Sequence, residues 1–111
     1  MRIVKTQSFR WPVRHLLAAD GGRAEVLSFE VTCKRLRTSE VKTLDEEIRR
    51  DKLEDSVVVS RVVTDWDLRD VDGAVVPWEQ REQAFDEVPG LAGSIVRAFF
   101  ASFDPKESEK N

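Results

Sequence analysis

The residues with the strongest claim to chemistry lie in an acidic stretch, Asp67-Leu68-Arg69-Asp70-Val71-Asp72-Gly73-Ala74-Val75-Val76-Pro77. Placing Asp70 and Asp72 at the third and fifth positions of a calcium loop puts Gly73 at the sixth, Val75 at the eighth and Glu79 at the twelfth. That is part of the EF-hand spacing. The first position, where a carboxylate ligand belongs, is Leu68, and Pro77 falls inside the loop. These departures favour a solvated turn in which Asp72-Gly73 reverses the chain.

His15 is the only imidazole. A Ser-His-Asp arrangement can be written with Ser28 or Ser94, but neither serine sits in a nucleophile motif. A structural or rim histidine is the better expectation. Cys33 continues the apolar series Leu27, Phe29, Val31 and reads as a small buried hydrophobe. Glu46, Glu47, Asp51, Glu54 and Asp55 read as a solvated helix face and not as an acid/base pair. No Gly-rich loop runs into Lys-Ser/Thr, so a phosphate cradle has no support. One cysteine and one histidine exclude an internal disulfide framework, a multi-cysteine zinc site and paired-histidine metal motifs. The expectation is a protein with no enzymatic activity, no cofactor and no metal.

Arg10, Arg14, Arg23, Lys34, Arg35 and Arg37 surround Trp11 in the first third of the chain. Charge with an interleaved aromatic suits single-stranded nucleic acid. The wider balance points elsewhere. Residues 1–37 hold eight Lys and Arg against three Asp and Glu, a net +5, and residues 38–111 hold ten against eighteen, a net −8. A dedicated nucleic-acid domain is usually basic throughout. The split suggests head-to-tail self-complementarity or two faces with different partners. A nucleic-acid-binding regulator therefore stands as the alternative reading.

The elements that must position these residues follow from periodicity. Residues 8–18 alternate, with Phe9, Trp11, Val13 and His15 on one face and Arg10, Pro12 and Arg14 on the other, as in a half-buried strand. Pro12 has no N–H to give a ladder, which predicts an edge strand. Asp20-Gly21-Gly22 supplies a hairpin turn. Residues 24–35 alternate again, with Leu27, Phe29, Val31 and Cys33 together. A lone hairpin is marginal in water, so helices must cover its apolar face. Thr38 or Ser39 is a candidate cap for a charged helix carrying Val41, Leu44 and Ile48, and Asp51 to Asp55 is a break or a continuation. Residues 56–66 fit either a strand, through their valines, or a helix with Asp55 or Ser56 as cap; the spacing Val59, Val62, Val63, Trp66 favours the helix. Residues 78–87 look helical, and Pro89-Gly90 opens a last helix over about 89–103. The class is α+β: an N-terminal antiparallel β-hairpin packed against three to four α-helices.

The chain has 111 residues and a mass of 12.7 kDa, enough for one domain. It is 41% hydrophobic and 35% charged, which allows one small core under a strongly charged surface. A domain over 1–103 with a polar, disordered tail over 104–111 is expected. No run approaches the ~18 apolar residues of a membrane span, and the N-terminus lacks the apolar segment and cleavage site of a signal peptide. In the last helix Leu91, Ala92, Ile95, Val96, Phe99, Phe100 and Phe103 make a stripe too wide for one narrow contact. A surplus apolar face suggests a partner surface.

Two segments carry a family resemblance. One is Phe-x-Trp-Pro-Val at residues 9–13 with the second strand ending Phe-Glu-Val-Thr-Cys-Lys-Arg-Leu at residues 29–36. The other runs from Val62 to Trp78, then through a helix to Val88-Pro89-Gly90-Leu91 and the aromatic last helix. In this order the chain resembles the tail assembly chaperones of long-tailed phages and prophages. It departs from them at Asp65, where glycine is usual, and in lacking a Ser/Thr cap after Pro77. The resemblance implies a non-enzymatic protein of the bacterial host cytoplasm that coats the tape measure protein, keeps it soluble and gives way as the tail tube polymerises. It also implies an extended form, made by ribosomal frameshifting, that recruits tail tube subunits. Codons for Asp104-Pro105-Lys106 and for Glu109-Lys110-Asn111 can both form slippery heptanucleotides. Self-association is expected, no membrane is involved, and a structural tail-completion protein is a further alternative. The partner-binding residues expected are Val96, Phe99, Phe100 and Phe103, with Trp66 and Trp78 as core or groove residues.

Overall fold

A computed structural model describes residues 1–104 of the chain. Its first strand, β1 (Ser8–Ala19), pairs antiparallel with β2 (Arg23–Lys34) in one unbroken register from Ser8–Lys34 to Ala19–Arg23. A short 3-10 turn at Asp20–Gly22 joins them, with Gly21 and Gly22 at positive φ. The alternation places side chains as the sequence predicts. Phe9, Trp11, Val13 and His15 stand opposite Cys33, Val31, Phe29 and Leu27 on one face, and that face carries the buried residues.

Register also explains Pro12. The Arg35 N–H donates to the Gln7 carbonyl, so the odd-numbered residues of β1 exchange hydrogen bonds with β2 and the even-numbered ones point to the free edge. Pro12 is even, and its missing N–H costs the ladder nothing.

The helix expected over 56–66 is present as far as Val62, and Val63–Trp66 correct it. The segment splits into α2 (Asp55–Val62) and a short strand, β3 (Val63–Trp66), on the outer side of β2, giving the sheet order β1-β2-β3. Trp66 lies opposite Val31 and Val63 opposite Cys33, with a bulge between. A helix continued to Trp66 would leave the outward N–H and C=O groups of β2 without partners beside the core. Asp67 extends the pairing past the end of β3. Its N–H donates to the Glu30 carbonyl (3.1 Å), and its carboxylate accepts the Glu30 N–H (2.6 Å).

The remaining elements are α1 (Thr38–Asp51), α3 (Arg81–Glu87), entered through a 3-10 turn at Trp78–Gln80, and α4 (Leu91–Ala101). Three expected helix starts move. Arg37, not Thr38 or Ser39, is the N-cap of α1, and its N–H is satisfied by the Glu40 carboxylate at 2.9 Å. Glu54, ahead of Asp55 and Ser56, caps α2. Gly90 caps α4 at φ 82°, so Pro89 lies before the helix and not in its first turn. Of the stretch from Asp51 to Asp55, residues 52–54 form a break, with Lys52 in the left-handed region ending α1.

One apolar cluster holds these elements together. Val13, Phe29, Val31 and Cys33 from the sheet meet Val58, Val59 and Val62 of α2 and Leu91, Ile95 and Phe99 of α4. The fold is α+β: among the described residues, a three-stranded antiparallel sheet packs with four helices, β3 falling between α2 and α3 in the chain. The polar tail expected over 104–111 lies, from residue 105 onward, outside the described residues.

Candidate partner-binding surface

The aromatic residues expected to bind a partner divide between two clusters. The first centres on Trp66, which is 4% exposed. Phe29, Trp78 and Phe85 meet its ring edge to face at 6.1, 5.0 and 5.8 Å, a favourable geometry for aromatic pairs. Its indole N–H donates to the Val76 carbonyl at 2.8 Å, so its one polar atom is satisfied inside the fold. Trp78 is half-buried and covered by the Arg81 guanidinium, 4.8 Å from its ring. Trp66 thus belongs to the core, and Trp78 forms part of its lid.

The second cluster is on α4. Leu91, Ile95 and Phe99 recur at helical spacing and have no exposed surface. Phe99 therefore faces the core and offers nothing to a partner in this conformation. Phe100 and Val96 are half-buried, and Phe103, just past the helix end, is 48% exposed. The three phenylalanine rings meet edge to face at 5.2 to 5.9 Å. Val96, Phe100 and Phe103 are the expected contact residues that keep surface in water. The sequence reading missed a second apolar patch. Leu16 and Val26 stand directly opposite each other on the uncovered face of the hairpin and are 64% and 47% exposed. Both lie in the alternation opposite the aromatic face, where a polar residue is the norm.

The other chemical candidates resolve into structural roles. In the acidic stretch, the Asp70 carboxylate accepts the N–H groups of Asp72 and Ala74 at 2.9 and 3.0 Å. With the Arg69–Val75 bridge, it closes a tight turn around Gly73. The carboxylate is spent on its own backbone, as Asp does in turns, and no cluster of three or more potential ligands exists among the described residues. Cys33 is fully buried, and burial pushes its thiol up to about 11, away from the reactive thiolate.

His15 and Ser94 do come together. Nδ1 of His15 lies 2.7 Å from Oγ of Ser94, and both residues are buried. Ser94 also accepts from Arg97 at 3.1 Å, which leaves its O–H free to donate to Nδ1. Ser94 is buried in the first turn of α4 and does not sit on the sharp strand-to-helix turn that exposes an activated serine. The pair ties β1 to α4. Among the hairpin's basic residues, Arg10 is held by Glu30 at 2.9 Å and Asp67 at 3.3 Å, and Arg35 lies over the Phe9 ring. Both are partly taken from the patch that suggested nucleic acid.

No family model matches the chain, and no curated protein or solved structure is significantly similar to it. Among the described residues no helix is long and apolar enough to cross a membrane.

Proposed function

We propose that this protein is a non-enzymatic tail assembly chaperone of a phage or prophage, acting in the host cytoplasm on the tape measure protein. The observation that carries the reading is the open ridge Val96, Phe100, Phe103 on a domain whose surface is otherwise heavily charged. An exposed apolar strip is a natural dock for the apolar face of a helix. Many such contacts along one extended partner give a coat that is strong in sum and displaceable one copy at a time. The basic N-terminal third, the acidic remainder and the exposed Leu16–Val26 pair support self-association on that partner. An extended form reaching the tail tube subunit completes the reading.

The test is co-expression with a tape measure protein. The intact chain keeps that protein soluble and co-purifies with it, and Phe100→Asp weakens both effects while the circular-dichroism spectrum is retained. A tape measure that stays insoluble beside a folded chain refutes the proposal. Finding the chain in purified particles would make it a structural tail component instead.

A further inference from the structure

We propose that the groove between the free edge of β1 and α4 binds a small organic oxyanion with a flat apolar body. The groove encloses about 490 Å³ and is lined by Trp11, Pro12 and Arg14 from the strand and by Ser94, Arg97, Ala98 and Ala101 from the helix. Its volume falls in the range of roughly 300–1,000 Å³ used for small ligands.

The site joins an apolar wall to an excess of donors. Trp11, Pro12, Ala98 and Ala101 supply the wall, and the two alanines keep the helix side open. Arg14 and Arg97 bring two guanidinium groups to one groove, and neither has an ion-pair partner among the described residues. The Asp55 carboxylate and Arg97 Nη1 both approach Gly93, 3.0 and 3.3 Å from where a Cβ would stand, so one carboxylate lies beside this guanidinium without forming an ion pair with it. With one carboxylate beside two guanidinium groups, the groove keeps a surplus of N–H donors and of positive charge, which an anion with several acceptor atoms satisfies. Arg97 is also held in place. Its Nη2 donates to Ser94 Oγ, which is buried and bonded to the buried His15, so the guanidinium is fixed at the groove before any ligand arrives.

Strand addition, the obvious use of a free edge, is blocked. Pro12 lies at the middle of this stretch with its nitrogen directed outward, so an added strand would lose a hydrogen bond at its centre. The groove therefore suits a compact ligand better than an extended peptide.

The experiment is a titration of the isotopically labelled full chain with phenyl phosphate, followed by amide chemical shifts, beside inorganic phosphate alone. We expect shifts confined to residues 11–14 and 94–101, with phenyl phosphate bound at least about tenfold more tightly than phosphate. Arg14→Ala and Arg97→Ala should each weaken binding by about tenfold or more, the usual scale for one charged hydrogen bond. Ala101→Leu, which fills the groove and leaves both arginines in place, should abolish binding with the fold intact. No shift by about 10 mM phenyl phosphate, a ceiling set by ordinary ligand efficiency, overturns the proposal. So do shifts outside the groove, unchanged binding in the folded Arg14→Ala/Arg97→Ala chain, or phosphate binding as tightly as its phenyl ester.

Discussion

The two aromatic clusters are built from the same materials and end in opposite states. Around Trp66 the rings close on a buried indole whose N–H is bonded to Val76, with Arg81 lying over Trp78. Around Phe99 the rings meet at similar distances and angles, yet the series runs outward until Phe103 is about half in water. Ring contacts alone do not separate core from interface. The difference lies in what finishes each cluster: a hydrogen-bonded loop and a cation at Trp66, and the end of α4 at Phe103.

The sharpest way to test that difference is to remove one ring at the buried centre of each cluster. Trp66→Ala deletes the hub of three edge-to-face pairs and leaves the Val76 carbonyl without its donor. Phe99→Ala empties a site with no exposed surface. Each should cost about 3–5 kcal/mol, the usual range for a fully buried aromatic, and lower the melting temperature by about 12 °C or more. Thermal unfolding checks both. If Phe99→Ala costs under about 1 kcal/mol, α4 is not packed as described and the comparison fails.

These two residues also mark how far the sequence was legible. The hairpin was, because strict alternation over two strands admits one register in which Val13, Phe29, Val31 and Cys33 share a face. The α4 stripe was legible as a stripe. Which phenylalanine turns inward was not, because Phe99, Phe100 and Phe103 span more of the helix circumference than one neighbour can cover, and only the positions of α2 and the sheet decide. The helix expected over 56–66 holds as far as Val62 and fails at Val63–Trp66 for another reason. Val59, Val62, Val63 and Trp66 satisfy a helical face locally, and the open edge of β2 that claims Val63–Trp66 is far away in sequence. The His15–Ser94 bond and the Asp67 carboxylate that prolongs the ladder join residues 79 and 37 positions apart, so no local spacing announces them. The partner surface was legible only as a surplus of apolar residues. The Leu16–Val26 pair was passed over because it sits on the face where polar residues belong.

A milder test acts on the closed part of the core without removing a ring. Cys33 lies between Phe9 and Val63 in the sheet, and burial raises its thiol from 9.0 to about 11. The unfolded chain loses this proton at lower pH than the folded one, so between these values the native state binds more protons. Stability is then full below about pH 9 and falls as pH rises toward 11, by at most about 2–3 kcal/mol. Urea unfolding at stepped alkaline pH should show that slope, and Cys33→Ala should flatten it relative to the parent chain. An identical slope in the variant would mean that other groups set the alkaline limit.

The smallest expected effect on stability is the most informative about function. Phe103 follows the last turn of α4, and its ring meets those of Phe99 and Phe100 edge to face. With about half its surface already in water, Phe103→Asp gives up one partial burial and two edge contacts. A cost near 1 kcal/mol or less follows, against the several expected at Phe99 four residues earlier. The carboxylate would stand at the helix C-terminus, where the backbone dipole disfavours it by a few tenths of a kcal/mol, and a Phe103→Ser control separates that penalty from loss of the ring. If the ridge is the docking surface, both variants melt within a few degrees of the parent, and the aspartate variant loses tape measure solubilisation more completely because a charge must be desolvated in the contact. A variant that unfolds would move Phe103 into the core and close the second cluster as firmly as the first. A variant that folds and still holds the partner would leave the exposed ring without a role in docking and shift the search to Leu16 and Val26 on the hairpin.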